Sequence, residues 1–161
     1  MPIVKEYYDN GSLKAQGIKK NGLKEGKWIF YFEGGKLFRE IQFHNDIENG
    51  EWRMWHESGG LYLEQMKKNG KSDGYWQEYY ENGNLKEKGE YKDGAYHPID
   101  FWDQEGVQLL KNGTGKKIEK FGYSELDVYE QYFEEGRFIK EVKISSAQYG
   151  GFTQTGTNEI E

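Results

Sequence analysis

Cysteine is absent from this chain, so neither a disulfide nor a thiolate metal site is available to hold it together. No apolar run approaches the length of a membrane span, which argues against membrane insertion. Aliphatic material is scarce. Hydrophobic residues make up 35% of the 161 positions, and rings alone account for 17%, so a single closed core fits poorly. Positive charge is in deficit as well. A formal net charge of -6 argues against nucleic acid and anionic membrane as main partners, since both favour a basic face. The first residues lack the basic and apolar regions of a signal peptide. A cytoplasmic location is therefore expected, and export is the expectation if the N-terminus has been trimmed.

What is present is rings and glycines, in one frame. Gly11, Gly35, Gly59 and Gly83 lie 24 residues apart, and so do Leu13, Leu37, Leu61 and Leu85. Trp28, Trp52 and Trp76 keep the same interval, each two residues after Gly26, Gly50 or Gly74. A period of this size is the mark of stacked supersecondary units, which mostly bind partners along an extended surface.

The clearest unit runs from Trp76 to Gly94. Its first residues are rich in rings, as strands are. Asn82-Gly83 then reads as a tight type I′ hairpin turn. Leu85 to Tyr91 returns as a second strand, and Asp93-Gly94 opens a longer turn. With such a turn, Tyr80 faces Leu85 and Trp76 faces Gly89, leaving room for the indole to lie across Gly89. Alternation then separates two faces. One carries Trp28, Trp52 and Trp76, read with Gly35, Gly59 and Gly83 as the structural residues of the repeat. The other carries a second ring series, Tyr7, Tyr31, Trp55, Tyr79 and Tyr132. A single layer cannot bury both faces by itself, so Tyr31, Trp55 and Tyr79 are the candidate partner-binding residues.

The pattern weakens at Pro98, and the stretch from Leu109 to Gly115 reads as a glycine-rich loop. A further unit emerges around Tyr129 to Phe138. The expected division is a hairpin-repeat domain over residues 1–144 and a loose polar tail over residues 145–161.

Nothing in the chain assembles a reaction site. His44, His56 and His97 fall at unrelated repeat positions, without zinc-site spacing. The Asn112 to Lys117 stretch fails the phosphate-loop pattern, because Leu110 stands where its first glycine belongs. Asn10-Gly11-Ser12 and Asn112-Gly113-Thr114 match the glycosylation sequon, but turn chemistry already accounts for them. No catalytic residue, metal or cofactor is expected.

Tyr79 to Glu87, followed by Lys92-Asp93-Gly94, together with the Gly-x-Trp steps at Gly26, Gly50 and Gly74, resembles the bacterial variant of MORN repeats. The resemblance runs from about Val4 to Lys143. It implies an all-β fold: an elongated, single-layer antiparallel meander of about six 24-residue hairpins. Proteins of this kind are commonly labelled antitoxin components of toxin-antitoxin modules, which implies a non-enzymatic chain that binds a cognate toxin or another protein. Self-association through a sheet edge or the aromatic face is compatible with the same fold. The alternative reading is an envelope or surface carbohydrate-binding module, with rings as sugar platforms.

Overall fold

The computed structural model describes residues 1–121, 127–145 and 153–158. They form β1 (Ile3–Tyr7), β2 (Leu13–Lys20), β3 (Leu23–Tyr31), β4 (Leu37–His44), β5 (Ile47–Trp55), β6 (Leu61–Lys68) and β7 (Lys71–Tyr79). These are followed by β8 (Leu85–Lys92), β9 (Ala95–Trp102), β10 (Gln108–Lys111), β11 (Thr114–Phe121), β12 (Asp127–Glu134), β13 (Arg137–Ser145) and β14 (Thr153–Asn158). No helix occurs among the described residues. The strands follow chain order in one antiparallel sheet, which is the expected hairpin meander. The chain divides into two units, one of residues 1–85 and 89–96, the other of residues 86–88 and 97–161.

The two turn types are the reverse of the expectation. At Asn82-Gly83, positive φ falls only on Gly83, at 85°, and Gly83 N donates to Tyr80 O at 2.9 Å while Tyr80 N donates to Asn84 O. This is the three-residue loop, a type I turn closed by one left-handed residue. The asparagine serves another purpose. Asn82 Oδ1 accepts from Asn84 N at 2.9 Å, as Asn10 Oδ1 accepts from Ser12 N at 2.8 Å. The turns read as longer are the tight ones. Asn21-Gly22, Asn45-Asp46 and Asn69-Gly70 have positive φ at both positions and join directly paired residues, such as His44 and Ile47. They also tie successive hairpins together, with Asp46 N donating to Lys24 O at 3.0 Å and Gly70 N to Glu48 O at 2.8 Å. Gly26, Gly50 and Gly74 lie inside β3, β5 and β7, at bulges where pairing with the preceding strand shifts.

Mid-hairpin, the register is the one alternation predicts: Trp28 opposite Ile41, and Trp52 opposite Gln65. Near the three-residue loops an extra residue on the return strand moves the pairing by one. Tyr31 and Trp55, not Phe32 and His56, stand opposite Leu37 and Leu61. The extra residues are used for packing: Phe38 stacks on Phe32 at 4.5 Å, and Tyr62 on His56 at 4.8 Å.

The first face forms the core of the first unit. Ala15, Trp28, Ile41, Phe43 and Trp52 are buried there, with Val4, Phe30, Met54 and Leu63 packed against them. Trp28 is fully buried, which a single layer achieves by covering it with long cationic side chains. Lys24 Nζ lies 4.9 Å from the Trp28 ring, 5.3 Å from Phe30 and 5.2 Å from Phe43. Trp28 itself lies over Gly17, where a Cβ would overlap the indole. The expected cover of Gly89 by Trp76 is replaced. Tyr96 covers Gly89, and Trp76, only half-buried, meets Tyr96 edge-on at 5.4 Å.

In the second unit Phe101, Leu110, Val128, Val142 and Ile144 are buried, together with an ion pair between Lys117 and Glu87. The stretch expected as a loop is a hairpin. Asn112-Gly113 supplies a two-residue turn between β10 and β11, and buried Leu110 pairs toward Phe101 on β9. In the region expected as a loose tail, Thr153–Asn158 pairs with β13, since alternating Thr153, Thr155 and Thr157 suit a strand. Residues 146–152 and 159–161 lie outside the described residues.

Candidate binding face

Alternation places on the second face every residue flanked by core-facing neighbours. Pairing links them into a row across six strands: Gln16 to Ile29, Ile29 to Glu40, Glu40 to Arg53, Arg53 to Glu64, and Glu64 to Gln77. Arg53 is the hub. Its guanidinium lies 3.2 Å from Glu51, 3.4 Å from Glu64 and 4.0 Å from Glu40, and Glu40 also pairs with Lys27 at 2.6 Å. Burial alone would lower the Arg53 pKa, but the Glu51 and Glu64 carboxylates more than offset it, so the group is held above its ordinary value. Each half-exposed pair adds little stability. Together they fix where the side chains point.

The rings are tied into this network. Tyr79 Oη donates to Glu64 at 2.8 Å, and Gln77 Oε1 lies 3.1 Å from the same hydroxyl oxygen. Burial, then the bond to the Glu64 carboxylate, pushes the Tyr79 phenol up to about 12. Tyr75 is raised as well, by burial first and then by the charges of Glu64 and Glu51. Tyr31 Oη accepts from Gln16 Nε2 at 2.9 Å. Trp55 follows Arg53 on the same strand and, by alternation, on the same face. Tyr31, Trp55 and Tyr79 are all half-buried, and Tyr7, the equivalent ring on β1, is 58% exposed. In the second unit, Tyr132 repeats the device, donating to Glu130 at 2.5 Å beneath Lys140.

The residues read as structural behave differently from one another. Trp28 and Trp52 are buried, whereas Trp76 is not. Gly35, Gly59 and Gly83 all take positive φ at the three-residue loops. The histidines lie in separate settings: His44 Nδ1 is 3.1 Å from Glu25, His56 packs on Tyr62, and His97 is exposed on β9.

Sequence reasoning missed two polar columns that carry the same period. Gln16, Glu40 and Glu64 are 24 apart, and cross-strand register is what joins them to Arg53. Asp9, Glu33, Glu57 and Glu81 are also 24 apart, exposed, and two residues beyond the ring row. Both were visible as spacing.

No curated protein matches the chain. The model of the MORN repeat variant matches residues 3–18, 24–45 and 72–93. These matches fall on the β1–β2, β3–β4 and β7–β8 hairpins. The unmatched β5–β6 hairpin keeps the mid-hairpin register of β3–β4. Three hairpins of this chain are thus matched as MORN repeat variants, a repeat type whose role is binding and not catalysis.

Proposed function

We propose that this chain is a non-enzymatic protein-binding module that uses the face carrying Tyr31, Trp55 and Tyr79. The observation that supports this is the asymmetry between the two ring series. Trp28 and Trp52 of the first series are buried, Trp28 over Gly17 and under Lys24, while Tyr31, Trp55 and Tyr79 stay half-exposed in equivalent positions of successive repeats. The network around Arg53 and Glu64 orders the polar side chains beside these rings before any partner arrives, which lowers the entropy lost on binding. Accessible aromatic anchors tend to dominate protein interfaces. The partner we infer from the resemblance is a toxin that the chain neutralises.

Co-purification with the product of the neighbouring reading frame tests the narrower claim. Titration calorimetry with that partner tests the face. Trp55→Ala is expected to weaken binding at least tenfold while the melting temperature stays near that of the parent. Unchanged affinity with a lowered melting temperature would return Trp55 to the structural set.

A further inference from the structure

We propose that the partner segment lying on this face is an extended, proline-rich stretch carrying basic residues, held in the polyproline II conformation and resting on the reading of that face as the binding surface. Three features of the first unit point to it.

The first is the repeat length of the ring row. Tyr7, Tyr31, Trp55 and Tyr79 sit on alternate strands, so neighbouring rings are two strand spacings apart, roughly 9.6 Å. A polyproline II helix returns to the same face every turn, after about 9.3 Å. Over the three intervals between these four rings the mismatch is about 0.9 Å. An α-helix returns to nearly the same face after seven residues, about 10.5 Å, and slips by about 2.7 Å over the same distance. A β-strand covers a similar distance in about three residues, but an odd step turns its side chains to the opposite side. Only the polyproline form keeps one side of the segment on every ring.

The second is charge. Asp9, Glu33, Glu57 and Glu81 stand at the three-residue loops, two residues past the rings, and repeat with the same interval. All four are exposed, and among the described residues none of their carboxylates is in an ion pair. The other carboxylates beside the rings, Glu40 and Glu64, are already matched by Lys27 and Arg53. Apart from Lys5 beside Tyr7 and Lys36, whose Nζ donates to Glu57 O at 2.9 Å, the unpaired charge next to the ring row is therefore a column of anions. A segment with a basic residue at every third position would meet one carboxylate per turn.

The third is unspent hydrogen bonding. The backbone carbonyls of a polyproline segment have no internal donors. Among the described residues the Trp55 indole N–H has no acceptor. The Tyr31 hydroxyl accepts from Gln16, which leaves its own hydrogen to donate. Flat rings with a free N–H and O–H are the elements that bind preformed, low-entropy proline segments.

Fluorescence anisotropy on the intact chain tests this with three labelled peptides of about four polyproline turns each: repeated Pro-Pro-Arg, Ala-Gly-Arg and Pro-Pro-Glu. The Pro-Pro-Arg peptide is expected to bind at least tenfold more tightly than either other peptide. Trp55→Ala is expected to weaken it about tenfold. The Glu33→Gln/Glu57→Gln double variant is expected to weaken it and flatten its salt dependence. Both variants should keep the parent melting temperature. Equal binding of the Ala-Gly-Arg peptide, or indifference of the Pro-Pro-Arg peptide to Trp55→Ala, would overturn the assignment. Selection of displayed random peptides on the same chain separates the two levels. Proline-free winners that need Trp55 would leave the face a protein-binding surface and overturn the proline-rich assignment. Binding of a gluco-oligosaccharide that Trp55→Ala abolishes, with none of any peptide, would overturn both.

Discussion

The contact between Trp28 and Gly17 offers the sharpest test of how a single layer buries a tryptophan. Trp28 is fully buried, donates from Nε1 to Ile18 O at 3.0 Å, and carries the Lys24 ammonium at 4.9 Å. Trp28→Ala removes all three contributions and is expected to cost about 3–5 kcal/mol, toward the upper end because the Ile18 carbonyl loses its donor. Gly17→Ala introduces a Cβ about 2.5 Å from Trp28 Cγ and Cε2, well inside van der Waals contact. In the parent this overpacking is expected to cost about 1–3 kcal/mol. In the Trp28→Ala background the clash vanishes. Alanine in a strand is then better than glycine by roughly 0.5–1 kcal/mol, so the sign reverses. The double-mutant cycle should therefore show a coupling of about 1.5–4 kcal/mol. Denaturant titration of the four proteins, followed by far-UV circular dichroism, measures it. A Gly17→Ala cost below about 0.5 kcal/mol in the parent, or an equal cost in both backgrounds, would refute the packing argument.

Trp52→Ala, at a site 8% exposed, is expected to lose about 3–5 kcal/mol, and Trp76→Ala clearly less because its indole is only half-buried; equal losses in denaturant titrations would contradict this. Gly83→Val should cost on the order of 1–3 kcal/mol through backbone strain alone, since φ is 85° and nothing lies within 4 Å of the added Cβ. Gly83→Ala should then show most of the same fall in melting temperature, and a harmless alanine would sink the explanation. Tyr79 is held protonated by the fold, with a pKa of about 12 against an ordinary value near 10. The stability it contributes is complete below about pH 10 and is lost as pH rises through about 12. The tyrosinate absorbance of the parent minus that of Tyr79→Phe should titrate late, and a difference centred near pH 10 would refute the assignment.

The glycine and tryptophan columns make the hairpin repeat legible in the sequence, because a hairpin is a local object. Its turn residues, strand alternation and period all lie within one unit of sequence. Reading stopped where two local solutions were equally allowed. Asn-Gly is at home in a two-residue turn, as at Asn21-Gly22, and in a three-residue loop, as at Asn82-Gly83. The choice shifts pairing by one residue, which is why Tyr31 and not Phe32 faces Leu37. The stretch around Leu110 failed for a related reason. It departs from the 24-residue frame, so its strands were hidden until Phe101 supplied a partner.

The sequence by itself determined an all-β repeat, two ring series on opposite faces, and the turns that keep the 24-residue frame. Each of these depends on residues close together in the chain. The tertiary structure decided which ring lies over which glycine, and that Lys24 closes the core face over Trp28, Phe30 and Phe43. It also joined Glu40, Arg53 and Glu64 into one network beside Tyr79. Those contacts run across strands that are distant in sequence. Register, set by the bulges and by the exact loop length, is the physical quantity that selects them.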